Sequence, residues 1–325
     1  MQPHRIDPTS LRRHVLQDGA HRVAILSLGC ITQDWRVAHQ GAEVPVVLGY
    51  EHPQHYIGQS ESLGAIVGRV ANRISNADFT LAEKRYRLPA NIPPHHLHSG
   101  PTGLGHQNWD MEGDDHTVRL RYHSPDGEGG YPGAVDFQVV ISLANNRLTY
   151  DMTATVDRPT PINLAQHSYY NLMGGAAAIW DHCLQINAEA TTALDADLIP
   201  TGAIEPVAGK GLDFCEMRRL GTADPAHLGS DSNFVLGPAK GPNATLSAPN
   251  DLTLKLWTDQ PGLQLYTGAS LHCQNPPLAG QKHAPFHGVC LEAQQFPDAP
   301  NRPEFPSIIA KPDHPYRQVT SVEIS

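Results

Sequence analysis

The sequence has few of the features that would mark a disulfide-framed, membrane-spanning or nucleic-acid-binding chain. Its five cysteines, Cys30, Cys183, Cys215, Cys273 and Cys290, are scattered and odd in number, and none forms a CxxC pair. Neither a disulfide framework nor a thiolate zinc site is indicated, and buried free thiols are expected. No block of Lys and Arg occurs and the formal net charge is −10, the wrong sign for a partner that presents phosphates, so no nucleic-acid partner is expected. The apolar run Val23 to Ile31 is too short to span a bilayer. The opening stretch "MQPHRIDPTSLRRHVLQDGA" lacks the continuous apolar segment of a secretory leader. A cytoplasmic protein with no membrane partner is the expectation. Helical periodicity is equally scarce, with no long segment placing apolar residues at i, i+3, i+4 and i+7. HExxH, GxSxG, the P-loop and a GxGxxG after a strand are all missing.

Period-two alternation is plentiful instead. In "RLTYDMTATV" (147–156), Leu148, Tyr150, Met152, Ala154 and Val156 fall on one side, and Thr149, Asp151, Thr153 and Thr155 on the other. Strand-like runs also cover 22–31, 44–50, 117–124, 134–144, 182–190, 252–258, 263–270, 287–296 and 316–324. The 28 glycines and 28 prolines are dispersed among them, with turn signals such as "SPDGEGGYPG" and "LANNRL". The pattern predicts an all-β fold, a large antiparallel β-sandwich, forming one domain over residues 1–325 without repeat or linker.

Polar groups interrupt this pattern at a few places. In "HGVCLEAQQFPDAPNRPEFPS" (287–307), Val289, Leu291 and Ala293 share one face, and Cys290, Glu292 and Gln294 the other. The alternation of "TPINLAQHSYYNL" (160–172) puts His167 on one face with Asn163 and Asn171. "GRVANRIS" carries Arg69 and Arg73, and "NIPPHHLHSG" carries His95, His96 and His98. His95 and His96 are adjacent and diverge in an extended loop. No two-His-one-carboxylate spacing is visible, so no metal site is expected. Glu292 and His167 remain as a carboxylate and an imidazole, the pair needed to take a proton from one oxygen and deliver one to another near neutral pH.

Taken in order, "GRVANRI", "LHSG", "GEGGYPG", "NLAQHSYYNL", "SDSNFVL", "LQLYTG" and "CLEAQQFPDAPNRPEFPS" resemble the aldose 1-epimerases, or galactose mutarotases, along nearly the whole chain. The resemblance implies a large antiparallel "supersandwich" and interconversion of the α and β anomers of free aldoses, with no cofactor and a small-molecule sugar as partner. It implies Glu292 as general base (family "CLETQ") and His167 as general acid (family "NHSYFNL"). His98 (family "LHGG"), Asn72 and Arg73 ("ANR"), Asp231 and Gln264 match positions that bind the sugar; Arg69, His95 and His96 inherit no role, and the last two are expected at the surface. Tyr169, Trp109 and Phe296 are expected to pack in the core, with stacking on a sugar face as the alternative. Four positions depart from the family pattern: Ala293, Gln166, Ser99 and Ser232 stand where Thr, Asn, Gly and His are usual. Ala293 adjoins Glu292, Gln166 adjoins His167, Ser99 adjoins His98 and Ser232 adjoins Asp231; none is a member of the Glu/His pair, and they bear on sugar preference. A sugar-phosphate epimerase, a non-catalytic sugar-binding module and a glycoside-cleaving enzyme are the alternatives, and monomer and homodimer both stay open.

Overall fold

The computed structural model describes residues 6–238 and 241–325; residues 1–5, which begin the stretch read for a leader, and residues 239–240 lie outside the described residues. Strands dominate, and the only α-helix among the described residues is the single turn Leu220–Ala223. The largest sheet has nine strands, in the order Asp110–Gly113, Thr117–Ser124, Val135–Ala144, Arg147–Val156, Tyr316–Ile324, Thr253–Thr258, Ala244–Ser247, Cys183–Ile186 and Arg218–Arg219. A second sheet has five: Pro200–Pro206, Ala190–Leu194, Asp231–Val235, Gly262–Tyr266 and Cys290–Gln294. A third runs through Arg13–Asp18, His21–Leu26, Thr32–His39 and Ala42–Pro45. All the strand pairs in these sheets are antiparallel.

Alternation explains how they pack. In Val135–Ala144 the buried set is Val135, Phe137, Val139, Ile141 and Leu143. These side chains join Val23, Ile25 and Trp35 of the third sheet, and Phe234, Leu263, Leu265, Leu291 and Ala293 of the second, in one apolar cluster. The large sheet thus lays its dry face against the other two and keeps its opposite face in water, as a sandwich requires. The second sheet, here the site sheet, is different: every residue of Cys290–Gln294 is buried. On its outer face, the segments bearing Asn72 and Arg73, Leu97 and His98, and His167 meet Asp231 and Glu292 around one cavity.

The alternation read at 117–124, 147–156 and 316–324 coincides with strands of the same bounds. Elsewhere the runs overreach. The run 182–190 leaves the large sheet after Ile186 and enters the site sheet at Ala190. Most of 44–50 forms no strand; Val47 and Tyr50 make single bridges to Tyr170 and Pro277. The segment 160–172 is not one strand either. It breaks into Thr160–Pro161 and Ala165–Gln166, with single bridges from Asn163 to Val70 and from Tyr170 to Val47 and Val289. Each piece is stitched to a different neighbour, so period-two facing does not run through it. Asn163 pairs with the backbone of Gln295, and Asn171 with the carbonyls of Ala177 and His287; neither shares the setting of His167.

Candidate active site

The register of the site sheet fixes the first part of the site. Glu292 lies opposite Gln264, and Gln264 opposite Asn233. Directly opposed residues of antiparallel strands share a face, so Asn233, Gln264 and Glu292 form one row. Asp231, Tyr266 and Cys290 form the next. A Cβ on Gly262 would come within 2.7 Å of Asn233 Oδ1, so glycine is what allows this polar row its space. The alternate residues Leu291 and Ala293 enter the core, while Glu292, 2% exposed, turns to the covered outer face.

Two short strands, Arg73–Ile74 and His96–Leu97, pair across that face. Just outside them, Asn72 and His98 lock together: Asn72 N–H donates to His98 Nδ1 at 3.1 Å, and His98 N–H donates to the Asn72 carbonyl at 3.1 Å. Both adopt left-handed backbone, φ 64° and 51°, a conformation costly for histidine and retained where surroundings impose it. Since Nδ1 of His98 accepts, the ring hydrogen sits on Nε2.

A cavity of about 280 Å³ opens here, and Asn72, Arg73, His98, His167, Asp231 and Glu292 all line it. His167 Nε2 stands 3.7 Å from Glu292 Oε1. The His98 ring meets His167 edge-on, with centroids 5.4 Å apart at 81°. On its other side, His167 Nδ1 is 3.6 Å from Cys290 Sγ. Asp231 is clamped by Arg73 Nη2 at 3.1 Å and by Gln264 Nε2 at 2.5 Å. Gln264 itself does not reach the cavity wall; its contact with the site runs through Asp231.

Burial governs the electrostatics. It raises the Glu292 carboxyl well above the ordinary carboxylate value, the nearby Asp231 adding to the shift and Arg73 opposing it. It lowers His167 to about 4, against a smaller opposing pull from Asp231. His98 is also pushed well below its usual value, by burial first and by His167 and Arg73 after it. One oxygen of Glu292, Oε2, has no hydrogen-bond partner. The pair is held in a dry setting that favours its uncharged arrangement, neutral imidazole beside protonated carboxyl.

His98, His167 and Glu292 bring possible ligand atoms within 4.8 Å of one another, a two-His-one-carboxylate cluster that linear spacing could not reveal. A metal does not suit it. Metal-bound histidine donates its second ring N–H to a partner, whereas the second nitrogen of His98 accepts from Asn72 N–H. Its Nε2 therefore carries hydrogen and offers no lone pair.

Other expectations change. His95 and His96 are buried, not at the surface. His95 Nδ1 accepts from Asn76 N–H at 3.1 Å, and His96 Nδ1 lies 2.6 Å from the Pro89 carbonyl; both tie down their loop. Arg69 is buried as well, donating to Ser124 and to the carbonyls of Pro125, Pro132 and Gly133. Trp109, Phe296 and Tyr169 all pack in apolar clusters as expected, and Tyr169 also reaches the cavity wall. Ala293, Gln166, Ser99 and Ser232 are all absent from that wall. Ser99 holds a left-handed φ of 62°, and its Oγ accepts from Val70 N–H at 2.9 Å. Glu61, Tyr266 and His272 also line the cavity and escaped notice in the sequence, because no motif or spacing links 61 or 272 to the pair.

The chain matches the family described as aldose 1-epimerase over residues 12–323. Galactose mutarotase of Mus musculus is 37% identical over 310 residues, spanning 93% of this chain and 91% of that protein. Aldose 1-epimerase of Escherichia coli K12 is 32% identical, spanning 89% and 90%. Among solved structures, an aldose epimerase homologue from C. elegans superposes with a TM-score of 0.91 at 26% identity, covering 97% of this chain and 99% of that one. A galactose 1-epimerase from Lactobacillus acidophilus gives 0.84 at 27% identity, covering 97% and 94%. With the match running nearly end to end in sequence and in fold, the chain belongs to the aldose 1-epimerase family.

Proposed function

We propose that this chain interconverts the α and β anomers of free aldoses, with Glu292 and His167 as its acid–base pair. Asn72, Arg73, His98 and Asp231 hold the sugar, and Gln264 braces Asp231. The observation that carries the assignment is the 3.7 Å approach of His167 Nε2 to Glu292 Oε1 on the wall of one cavity.

The two groups share one transferable proton. With it on His167, the Glu292 carboxylate takes the hydrogen of the anomeric hydroxyl while His167 donates to the ring oxygen. The bond from the anomeric carbon to the ring oxygen breaks as the carbonyl forms. The result is an open aldehyde, a protonated Glu292 and a neutral His167. That is the arrangement burial favours in this site, so the dry environment stabilises the protonation state belonging to the open chain. His98, neutral with its hydrogen on Nε2, supplies a second donor near the ring oxygen. Rotation about the bond next to the carbonyl exposes the other face, and the reverse transfers close the ring as the opposite anomer. Each such acid or base contributes on the order of 10²–10⁴-fold.

Charge speaks for a neutral sugar over a sugar phosphate. The cavity wall carries the carboxyl groups of Glu61, Asp231 and Glu292, and its guanidinium, Arg73, is engaged with Asp231. The described cysteines are all unpaired, which favours a reducing cytoplasmic setting; the likeness to galactose mutarotases favours a place in hexose metabolism. The shared apolar cluster from Leu16 to Ile324 favours a single domain.

Polarimetry on freshly dissolved α-D-glucose and α-D-galactose tests the assignment. The wild type accelerates the approach to equilibrium, and Glu292→Gln, still folded, loses activity by about 10²–10⁴-fold. Near-normal rates in that variant would remove Glu292 from the mechanism.

A further inference from the structure

The acid–base chemistry leaves one buried carboxylate of the cavity unused. The Glu61 side chain is 4% exposed, lines the same wall as Glu292, and has no hydrogen-bond partner on either oxygen. His272 Nδ1 lies 3.2 Å from Oε1, but the ring is otherwise engaged: Gln274 Nε2 donates to its Nε2 at 3.1 Å, which leaves Nδ1 to donate to the Ser270 carbonyl at 3.0 Å. The His272 ring is 61% exposed, so water competes for it.

Glu61 is also held in place. Gly64 N–H donates to the His167 carbonyl at 3.0 Å, and His167 N–H donates to the Ala65 carbonyl at 2.8 Å. Tyr169 Oη donates to the Glu61 carbonyl at 2.9 Å, and Leu63 N–H donates to Gln59 Oε1 at 2.9 Å. The segment bearing Glu61 is thereby fastened to the segment bearing His167. A rigid, buried carboxylate without donors is costly, and a ligand that brings a donor relieves the cost. A cationic donor relieves it most. Of the other carboxyl groups on the wall, Asp231 is paired with Arg73, and Glu292 is taken up by the acid–base pair with His167.

We propose that Glu61 is a sugar-recognition residue that receives a protonated amino group, so that cationic amino aldoses are ligands and substrates of this site alongside neutral aldoses. Turnover of these sugars rests on the acid–base reading above; their binding does not.

Ligand-observed NMR titration gives affinities for D-glucose, 2-amino-2-deoxy-D-glucose and 3-amino-3-deoxy-D-glucose at about pH 6, where the amines are protonated. Polarimetry on the same samples reads turnover. In Glu61→Gln, which keeps the side-chain shape, the affinity for at least one amino sugar relative to glucose falls about tenfold. Because the ratio is taken within one preparation, the folded fraction cancels. An unchanged ratio for both amino sugars overturns the proposal, as does a wild type that binds glucose and neither amino sugar. Amino-sugar selectivity that depends on Glu61, in a protein that accelerates no mutarotation, supports the role of Glu61 and counts against the acid–base reading alone.

Discussion

The large sheet and the site sheet are built from the same kind of alternating strand, yet they use their second face in opposite ways. In Arg147–Val156 the polar set meets water, and Asp151 pairs with Arg317 of the neighbouring strand at 3.0 Å with both side chains well exposed. In Cys290–Gln294 the polar set meets protein, and the row Asn233, Gln264 and Glu292 is buried. Polar atoms there go unpaired, among them both side-chain atoms of Asn233 and of Gln294. A wet face stabilises a strand at little cost. A covered polar face lowers stability unless ligands or solvent satisfy it, and such groups are found where function requires them.

Adjacent residues of the site strand sharpen the contrast most. Glu292→Gln is expected to lower mutarotation by about 10²–10⁴-fold without lowering Tm. The sign follows from the raised carboxyl: between the unperturbed value of 4.5 and its higher folded value, the native state binds more protons than the unfolded state. Rising pH therefore costs the wild type stability that the amide does not lose. Leu291→Ala, on the core side, is expected to do the reverse, costing about 2–5 kcal/mol in denaturant melts while the folded fraction keeps its activity. If Leu291→Ala silenced the folded enzyme at unchanged Tm, the division of labour between the two faces would fail.

Buried histidines give the next effect. His96, His167, His182 and His283 are each lowered by burial to about 4. Their folded values lie below the unfolded 6.5, so stability present above pH 6.5 is lost as pH falls toward about 4. Thermal melts across that window are expected to show a falling Tm. His182→Gln should flatten the slope, since Nε2 of His182 accepts from Leu172 N–H and must stay unprotonated to do so. An unchanged slope would clear His182 of any part in it. The smallest effect belongs to the wet face: Arg317→Ala, which removes an exposed ion pair with Asp151, is expected to leave Tm and mutarotation indistinguishable from the wild type. A measurable change in activity would mean that the outer face of the large sheet couples to the cavity.

Legibility in the sequence followed the same division. Strands such as Arg147–Val156 and Tyr316–Ile324 alternate because one side is dry and the other wet, and binary pattern records that contrast directly. The segment 160–172 also alternates, but its residues bridge several different neighbours, so its period carried no single face. The buried settings of His95 and His96 were equally hidden, because their partners Asn76 and Pro89 lie outside the motif that drew attention to them. Asp231, His98 and Arg73 could be named from their motifs; that Gln264 acts behind Asp231, and that Glu61 joins the wall, could not.

By itself, the sequence determined that the chain would form antiparallel sheets around an apolar core, and it held the ordered motifs that mark the family. Those properties are local or linear: side-chain alternation, turn residues, residue identity. The folded structure alone decided that Glu292 turns to a covered face, that His98 keeps its hydrogen on Nε2, and that residues as distant in the chain as 61 and 292 line one cavity. Cross-strand register and burial are set by which segments meet, and no spacing along the chain encodes that directly.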